Sequence, residues 1–411
     1  MLGRTAAVVT RDLAAEVERL RAETPGCAQV VHFNHAGSSL MPRAVLDAVV
    51  GYLRREAEIG GYEAADEAEE RLAGIYGSIA RLIGAEPEEI AVVEYATRGW
   101  DMAFYAISFR PGDRILTSMA EYSSNVLAFL QVAERGVSVE VVPNDDHGQL
   151  DVGALAEMLD ERVRVVAVSH MPTSGGLVQP AAAIGRLARQ AGAIYILDAC
   201  QTVGQMPIDV EEIGCDVLSA TSRKFLRGPR GVGFLYVRRE LIEELVPPLI
   251  DTHAARWVAN DRYELRSDAR RFENWESNVA GKLGMGVAID YALDLGLDAI
   301  WARIFDQAAQ LRSRLCEIPG VRVHDLGEVK GGIVTFTEDG VAPKAIAQAL
   351  KARSINVVPS SVASTRFDLE ARGIDEMVRA SVHYLTTDEE IQQLMAVVAG
   401  MAGSPRGAGV G

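Results

Sequence analysis

The sequence predicts an α/β protein, with a large domain on a mostly parallel, doubly wound sheet and a smaller α+β domain behind it. Two observations carry this. Residues 193–197 are apolar without alternation, and residues 163–168 are apolar but for Arg164, the pattern of strands buried on both faces. They belong to a succession of strands at 90–93, 114–118, 163–168, 193–198, 216–219 and 232–237, with helices at 181–191 and 209–213, and such βα alternation builds parallel sheets. After Glu240 the patterning changes. Residues 251–268 are charged and poorly periodic and read as a loop reaching a partner subunit. Long helices at 279–296 and 299–317 follow, then strands at 332–337 and 355–359 around a helix at 343–352.

With 411 residues, 48% apolar and 24% charged, the chain has material for two sizeable cores. The expected division is a large domain over 28–265, a small domain from 1–27 and 266–402, and a disordered Gly-rich tail at 403–411. A formal net charge of −16 without a basic cluster argues against nucleic acid or an anionic membrane as partner. The four cysteines, Cys27, Cys200, Cys215 and Cys316, show neither CxxC spacing nor a disulfide framework, so reduced thiols and no metal site are expected. No apolar run approaches the roughly 18 residues of a membrane span and no signal-peptide core is visible, which points to a cytoplasmic protein.

In chain order, Leu13, Val17 and Leu20 sit at helical spacing and predict a short packing helix. Residues 31–39 form an extended segment ending in small residues, and Pro42 opens a helix that Gly60 and Gly61 break. Residues 100–109 read as a helix. If it begins at Thr97 or Arg98, it offers free N–H groups and a positive dipole end to a phosphate; a plain Thr97 N-cap is the other reading.

Two side chains concentrate the chemistry. Asp198 ends the buried run 193–197, and open α/β sheets bind ligands at the carboxyl ends of their strands. Lys224 lies on the loop after the next strand, among Thr221, Ser222 and Arg223 and before the turn Gly228-Pro229. That setting suits a bound phosphate or an amine that condenses with a carbonyl. Together they are the parts a pyridoxal phosphate enzyme needs, a lysine for the Schiff base and an aspartate that keeps the pyridinium nitrogen protonated. The plainer readings are a solvated loop cation and a helix cap.

The motifs Ser169-His170, Asp198-Ala199-Cys200-Gln201, Thr221-Ser222-Arg223-Lys224 with Gly228-Pro229, and Arg379-Ala380-Ser381 widen the pattern. Through them the chain, from about Val31 to Ile391, resembles the class V aminotransferase family, which includes cysteine desulfurases, kynureninase, isopenicillin N epimerase and ergothioneine-pathway C–S lyases. The resemblance implies a fold type I architecture with a seven-stranded sheet, pyridoxal 5'-phosphate as cofactor, and a homodimer with shared active sites. Lys224 and Asp198 are then the catalytic pair. Thr97 and Arg98 hold the phosphate, Thr221 and Arg223 join the cofactor's surroundings, and Gln201 bonds the ring hydroxyl. Tyr122 stands where desulfurases stack a histidine on the ring, and an aromatic face suits a pyridinium. Arg379, with Asn34 and Ala36, takes the α-carboxylate of an amino-acid substrate, a task the bidentate guanidinium suits. Two positions depart from the pattern. Thr173 replaces a frequent asparagine near the cofactor hydroxyl and substrate carboxylate. Glu276 replaces the threonine that desulfurases send to the other subunit's phosphate, leaving Ser277 or a backbone group to substitute, because a carboxylate beside a phosphate is repelled.

Such a scaffold leaves transamination, racemisation, elimination and sulfur transfer open. Desulfurases need a nucleophilic cysteine on a small-domain loop shortly before the substrate arginine. Residues 356–378 hold Ser360, Ser361, Ser364 and Thr365 but no cysteine. Similarity to ergothioneine-pathway lyases through Gly60-Gly61-Tyr62, Gly228-Pro229-Arg230-Gly231-Val232-Gly233 and Ser277-Asn278-Val279-Ala280 then favours β-elimination. The expected substrate is a cysteine S-conjugate or its sulfoxide, giving thiol or sulfenate, pyruvate and ammonia. An aminotransferase, epimerase or decarboxylating deaminase on a related amino acid is the alternative, and a non-catalytic binding protein is the reading outside enzymes.

Overall fold

A computed structural model of the chain describes residues 11–402. The expected tail 403–411 and the first ten residues of the expected small domain lie outside the described residues. In chain order the strands are β1 (Val31–His32), β2 (Ile90–Val93), β3 (Arg114–Ser118), β4 (Ser138–Val142), β5 (Val163–Ser169), β6 (Ile194–Asp198), β7 (Val217–Thr221), β8 (Gly233–Val237), β9 (Ala255–Ala259), β10 (Arg262–Leu265), β11 (Val321–Val323), β12 (Ile333–Glu338), β13 (Ile355–Asn356), β14 (Val358–Ser361) and β15 (Glu376–Ser381).

Strands β2 to β8 form one seven-stranded sheet in the order β2-β8-β7-β6-β5-β3-β4. β4, β3, β5, β6 and β7 run parallel, and β8 is antiparallel to both its neighbours. The mostly parallel α/β expectation holds. Along β5 and β6, Val166, Val168, Tyr195 and Leu197 point into one core, and Val165, Ala167, Ile194 and Ile196 into another on the opposite face. Helices cover both faces, which is why these strands read as unbroken apolar runs. β7 extends two residues beyond the predicted 216–219, which carries Thr221 to the end of the sheet beside Lys224.

Behind this sheet, β11-β12-β15-β14 make a smaller antiparallel sheet. The two bodies are stitched together near the N-terminus. β1 pairs with β13, and Asn34 bridges to Ser381 at the end of β15. The helix Val279–Leu295 packs on the helices Arg43–Ile59 and Glu69–Ile83. Gly60, at φ +103°, ends the second of these three as expected, since that backbone region suits glycine. No described helix is long and apolar enough to cross a membrane.

Two expectations are corrected. The helix after β2 is Ala96–Phe104, not 100–109, because Tyr95 is already in extended N-cap geometry and Tyr105 closes the last turn with its N–H on Asp101 O and Ala103 O. Residues 251–268 are not a plain loop: β9 and β10 pair as an antiparallel hairpin. Its residues, Trp257 at 76% exposure among them, meet solvent on both faces, so burial imposed no alternation for the sequence to display.

Candidate active site

At the carboxyl ends of β5, β6 and β7 lies a cavity of about 470 Å³, the place where an open parallel sheet receives ligands. Asp198 ends β6 and lines it. Asp198 Oδ1 accepts from the backbone N–H of Cys200 at 3.0 Å, and Oδ2 from Asn125 Nδ2 at 3.2 Å. Across the same cavity, Lys224 has no side-chain hydrogen bond or ion pair among the described residues. Burial holds its ammonium below the ordinary lysine range; Arg223 and Arg379 push the same way, against the pull of Cys200 and Asp198.

The Lys224 loop is pinned from behind. Arg227 N–H donates to Lys224 O and Gly228 N–H to Ser222 O, both at 2.9 Å. A side chain at Gly228 would collide with Ser222 Oγ, so the turn requires glycine. Arg227 sits at φ +64° with its guanidinium wholly buried, donating to Leu40 O at 2.9 Å and to Tyr384 Oη and Thr24 Oγ1 at 2.5 Å.

On the side of the smaller sheet, Arg379 projects from β15. Its Nη1 donates to Thr173 Oγ1 at 2.6 Å and to Thr173 O at 3.1 Å, and its Nη2 donates to Asn34 Oδ1 at 3.2 Å. Its Nε is buried with no partner. Burial first, and Arg223 second, lower its pKa to about 10, so the guanidinium stays charged at neutral pH. Thr173 Oγ1 also accepts from Gln201 Nε2 at 3.3 Å, which ties the carboxylate-binding candidate to the cavity floor.

With this geometry in hand, the comparisons with known proteins decide the family. The model described as aminotransferase class-V matches residues 31–394. The chain belongs to the class V aminotransferase family. A probable cysteine desulfurase of Methanothermobacter thermautotrophicus is 30% identical over 392 residues, covering 94% of this chain and 98% of that protein. The apo cysteine desulfurase of Thermococcus onnurineus superimposes with a TM-score of 0.87 at 26% identity, covering 94% of this chain and 98% of the other. A cystine C–S lyase solved with its product cysteine persulfide shares the fold at a TM-score of 0.82 and 24% identity, covering 92% and 99%. The chain is therefore a pyridoxal 5'-phosphate enzyme of fold type I whose relatives are cysteine desulfurases.

The residues present fit that cofactor. Among the described residues no acceptor meets the N–H groups of Thr97 and Arg98, and Tyr95 lends no capping side chain, so the first turn of Ala96–Phe104 is open to a phosphate. Ser219 Oγ and Gln201 Oε1 line the cavity, buried and without a protein partner.

Thr97, Tyr122, Thr173, Asp198, Gln201, Thr221, Arg223 and Lys224 all line this class V cavity, and Arg379 with Asn34 flanks it through Thr173. Three named residues do not reach it. Successive helical residues point about 100° apart, so Thr97 facing the cavity turns the Arg98 side chain to Asn274 Oδ1 at 3.0 Å. Ser277, expected at the other subunit's phosphate and so not at its own cavity, lines a neighbouring crevice with Glu276 and Lys282 that shares only Gly231 with the cavity. Ala36, 1% exposed, donates its N–H to Ser381 Oγ at 2.9 Å and accepts Gln201 Nε2 on its carbonyl, leaving no backbone group for a substrate. In turn Asn125, Cys200 and Arg230 line the cavity without having been singled out. Asn125 had a signal in its place four residues after Glu121; Cys200, named only among the reduced cysteines, and Arg230 lay inside the quoted motifs. Burial, then Asp198, push the Cys200 thiol above the ordinary cysteine range, which disfavours its thiolate.

Proposed function

We propose that the enzyme is a C–S β-lyase acting on a cysteine S-conjugate or its sulfoxide, releasing thiol or sulfenate, pyruvate and ammonia, and working in the cytoplasm as a homodimer with shared sites. One observation carries this reading against sulfur transfer. The segment between β14 and β15, including the helix Arg366–Ala371, has no cysteine, and burial and Asp198 disfavour the thiolate of Cys200, the one thiol lining the cavity among the described residues. Persulfide formation needs a thiolate acceptor. β-Elimination needs none, because the departing sulfur carries its own organic group.

When bound, pyridoxal phosphate supplies the electron sink that makes a Cα proton removable. The chain's residues do the rest. Thr97, Thr221 and Arg223 would hold its phosphate, Asp198 would keep its ring nitrogen protonated, and Tyr122 would offer its aromatic face to the ring. Arg379 takes the substrate carboxylate, with Thr173 and Asn34 fixing its plane. Lys224 Nζ, depressed by desolvation, is more readily neutral than an exposed lysine and takes the Cα proton.

The relatives' names favour a second reading, sulfur transfer from cysteine itself. One incubation separates the two. With a cysteine S-conjugate, elimination yields pyruvate, ammonia and intact organic thiol in equal amounts, with no keto acid required. Persulfide sulfur on the protein supports the second reading. A stall relieved by added keto acid, or release of carbon dioxide, supports the aminotransferase or decarboxylating alternatives.

A further inference from the structure

Behind the cavity wall one buried carboxylate serves no step described so far. Glu121 follows β3, is 1% exposed and does not line the cavity. Its Oε1 accepts from Tyr122 N at 2.9 Å, Asn125 Nδ2 at 2.8 Å and Ser169 Oγ at 2.7 Å. Its Oε2 accepts from Ser169 N at 2.9 Å and Thr117 Oγ1 at 3.1 Å. Tyr122, Asn125 and Ser169 all line the cavity. The same Asn125 nitrogen also donates to Asp198 Oδ2 at 3.2 Å, so one amide bridges two carboxylates.

The two hydrogens of a planar amide point in fixed directions, so anchoring one on Glu121 aims the other at Asp198. The same Glu121 oxygen holds the backbone of Tyr122. No arginine, lysine or histidine pairs with Glu121 among the described residues. Burial raises its carboxyl to about 7, with the charge of Asp198 adding and the Ser169 and Asn125 donors opposing. A carboxyl buried without a cation is costly, and an apolar side chain of similar volume would pack the site as well. Its place is accounted for by what it orients.

We propose that Glu121 is a positioning residue for the cofactor ring, aiming Asn125 at Asp198 and fixing the turn that presents Tyr122. The inference rests on the role given above to Asp198. The test compares wild-type holoenzyme with Glu121→Gln, Asn125→Ala, their double variant and Asp198→Asn, reading the visible absorption band of the bound cofactor, its dissociation constant, kcat and KM. In Glu121→Gln an NH2 replaces one oxygen and confronts donors where an acceptor stood. The expected result is a shifted band, kcat lower by about 10- to 100-fold at little-changed KM, as for other groups that orient a ligand's direct partner. The double variant should be no worse than the worse single, since both changes break one bridge. Additive losses in the double variant overturn the proposal. A wild-type band and kcat in Glu121→Gln beside an impaired Asp198→Asn overturn it alone; unimpaired behaviour in both overturns the Asp198 role with it. Should Glu121→Gln misfold, Asn125→Ala, which removes the bridge together with a cavity-lining side chain, takes its place, and a wild-type band and kcat there overturn the proposal.

Discussion

The cavity has two walls of different make. On the large-sheet side, Asp198 is held at two points by N–H donors while Lys224 is left without a partner, its basicity lowered by burial. On the small-sheet side, Arg379 is gripped by acceptors that are all neutral, the Thr173 hydroxyl and carbonyl and the Asn34 amide oxygen, with Nε unpaired. Neutral acceptors align a guanidinium without cancelling its charge, so the charge remains for an incoming anion. Arg227 sharpens the contrast: more deeply buried, it has its donors taken up by Leu40, Tyr384 and Thr24 and serves to pin the Lys224 loop. The difference suggests a division of labour, with chemistry on the first wall and capture on the second. Variants can break it.

The largest effect is expected on the first wall. Lys224→Ala removes the proposed covalent anchor and base, and turnover should fall by at least about 10³-fold, within the upper range for a lost general base. In the wild type, borohydride reduction followed by peptide mapping should place a pyridoxyl mass on Lys224. That mass on another lysine would refute the assignment. Next comes Asp198→Asn, which keeps the shape but loses the negative charge and one of the two acceptor oxygens that meet Cys200 N–H and Asn125 Nδ2. It should retain the cofactor and lose about 10²- to 10³-fold in kcat, as when a preorganised electrostatic group is neutralised. Near-normal turnover would make Asp198 structural.

On the second wall, Arg379→Ala should raise KM by about 10- to 100-fold, the worth of a charge-assisted hydrogen-bond pair, with a smaller loss of kcat. Elimination leaves the α-carboxylate untouched, so its clamp acts mainly in capture. A fall in kcat at constant KM would dissolve the division between the walls.

The first wall was the more legible in the sequence. Strands buried on both faces appear as unbroken apolar runs, so β5, β6 and β7 could be placed, and a carboxylate ending one of them stood out. The second wall could not be seen locally. Arg379 meets Thr173 across 206 residues and Asn34 across 345, and no periodicity encodes such a meeting. Asn125 and Asp198 meet across 73 residues in the same way. The family motifs brought Arg379 into the reading; the loop around Ala36 came in with it, although its polar groups are used within the protein. The hairpin β9–β10 was missed because a strand with solvent on both faces carries no burial pattern.

The smallest effect is expected at Cys200, the residue on which the choice between elimination and sulfur transfer turns. It lies two residues beyond Asp198 and lines the cavity, so by position it is the one thiol there that could receive sulfur. Its environment opposes that role. Burial and the neighbouring Asp198 carboxylate both disfavour the thiolate, and the thiol is a far weaker nucleophile than its anion. The backbone N–H of Cys200 makes a 3.0 Å contact to Asp198 that Cys200→Ala preserves, while the substitution removes only the thiol's own weak hydrogen bond to that carboxylate. Pyruvate release from a cysteine S-conjugate should therefore change by less than about threefold, well under 1 kcal/mol of barrier. If the loss exceeds tenfold, and the wild-type protein carries cyanolysable sulfur on Cys200 after turnover of cysteine, the lyase reading gives way to sulfur transfer through an acceptor in the wall itself.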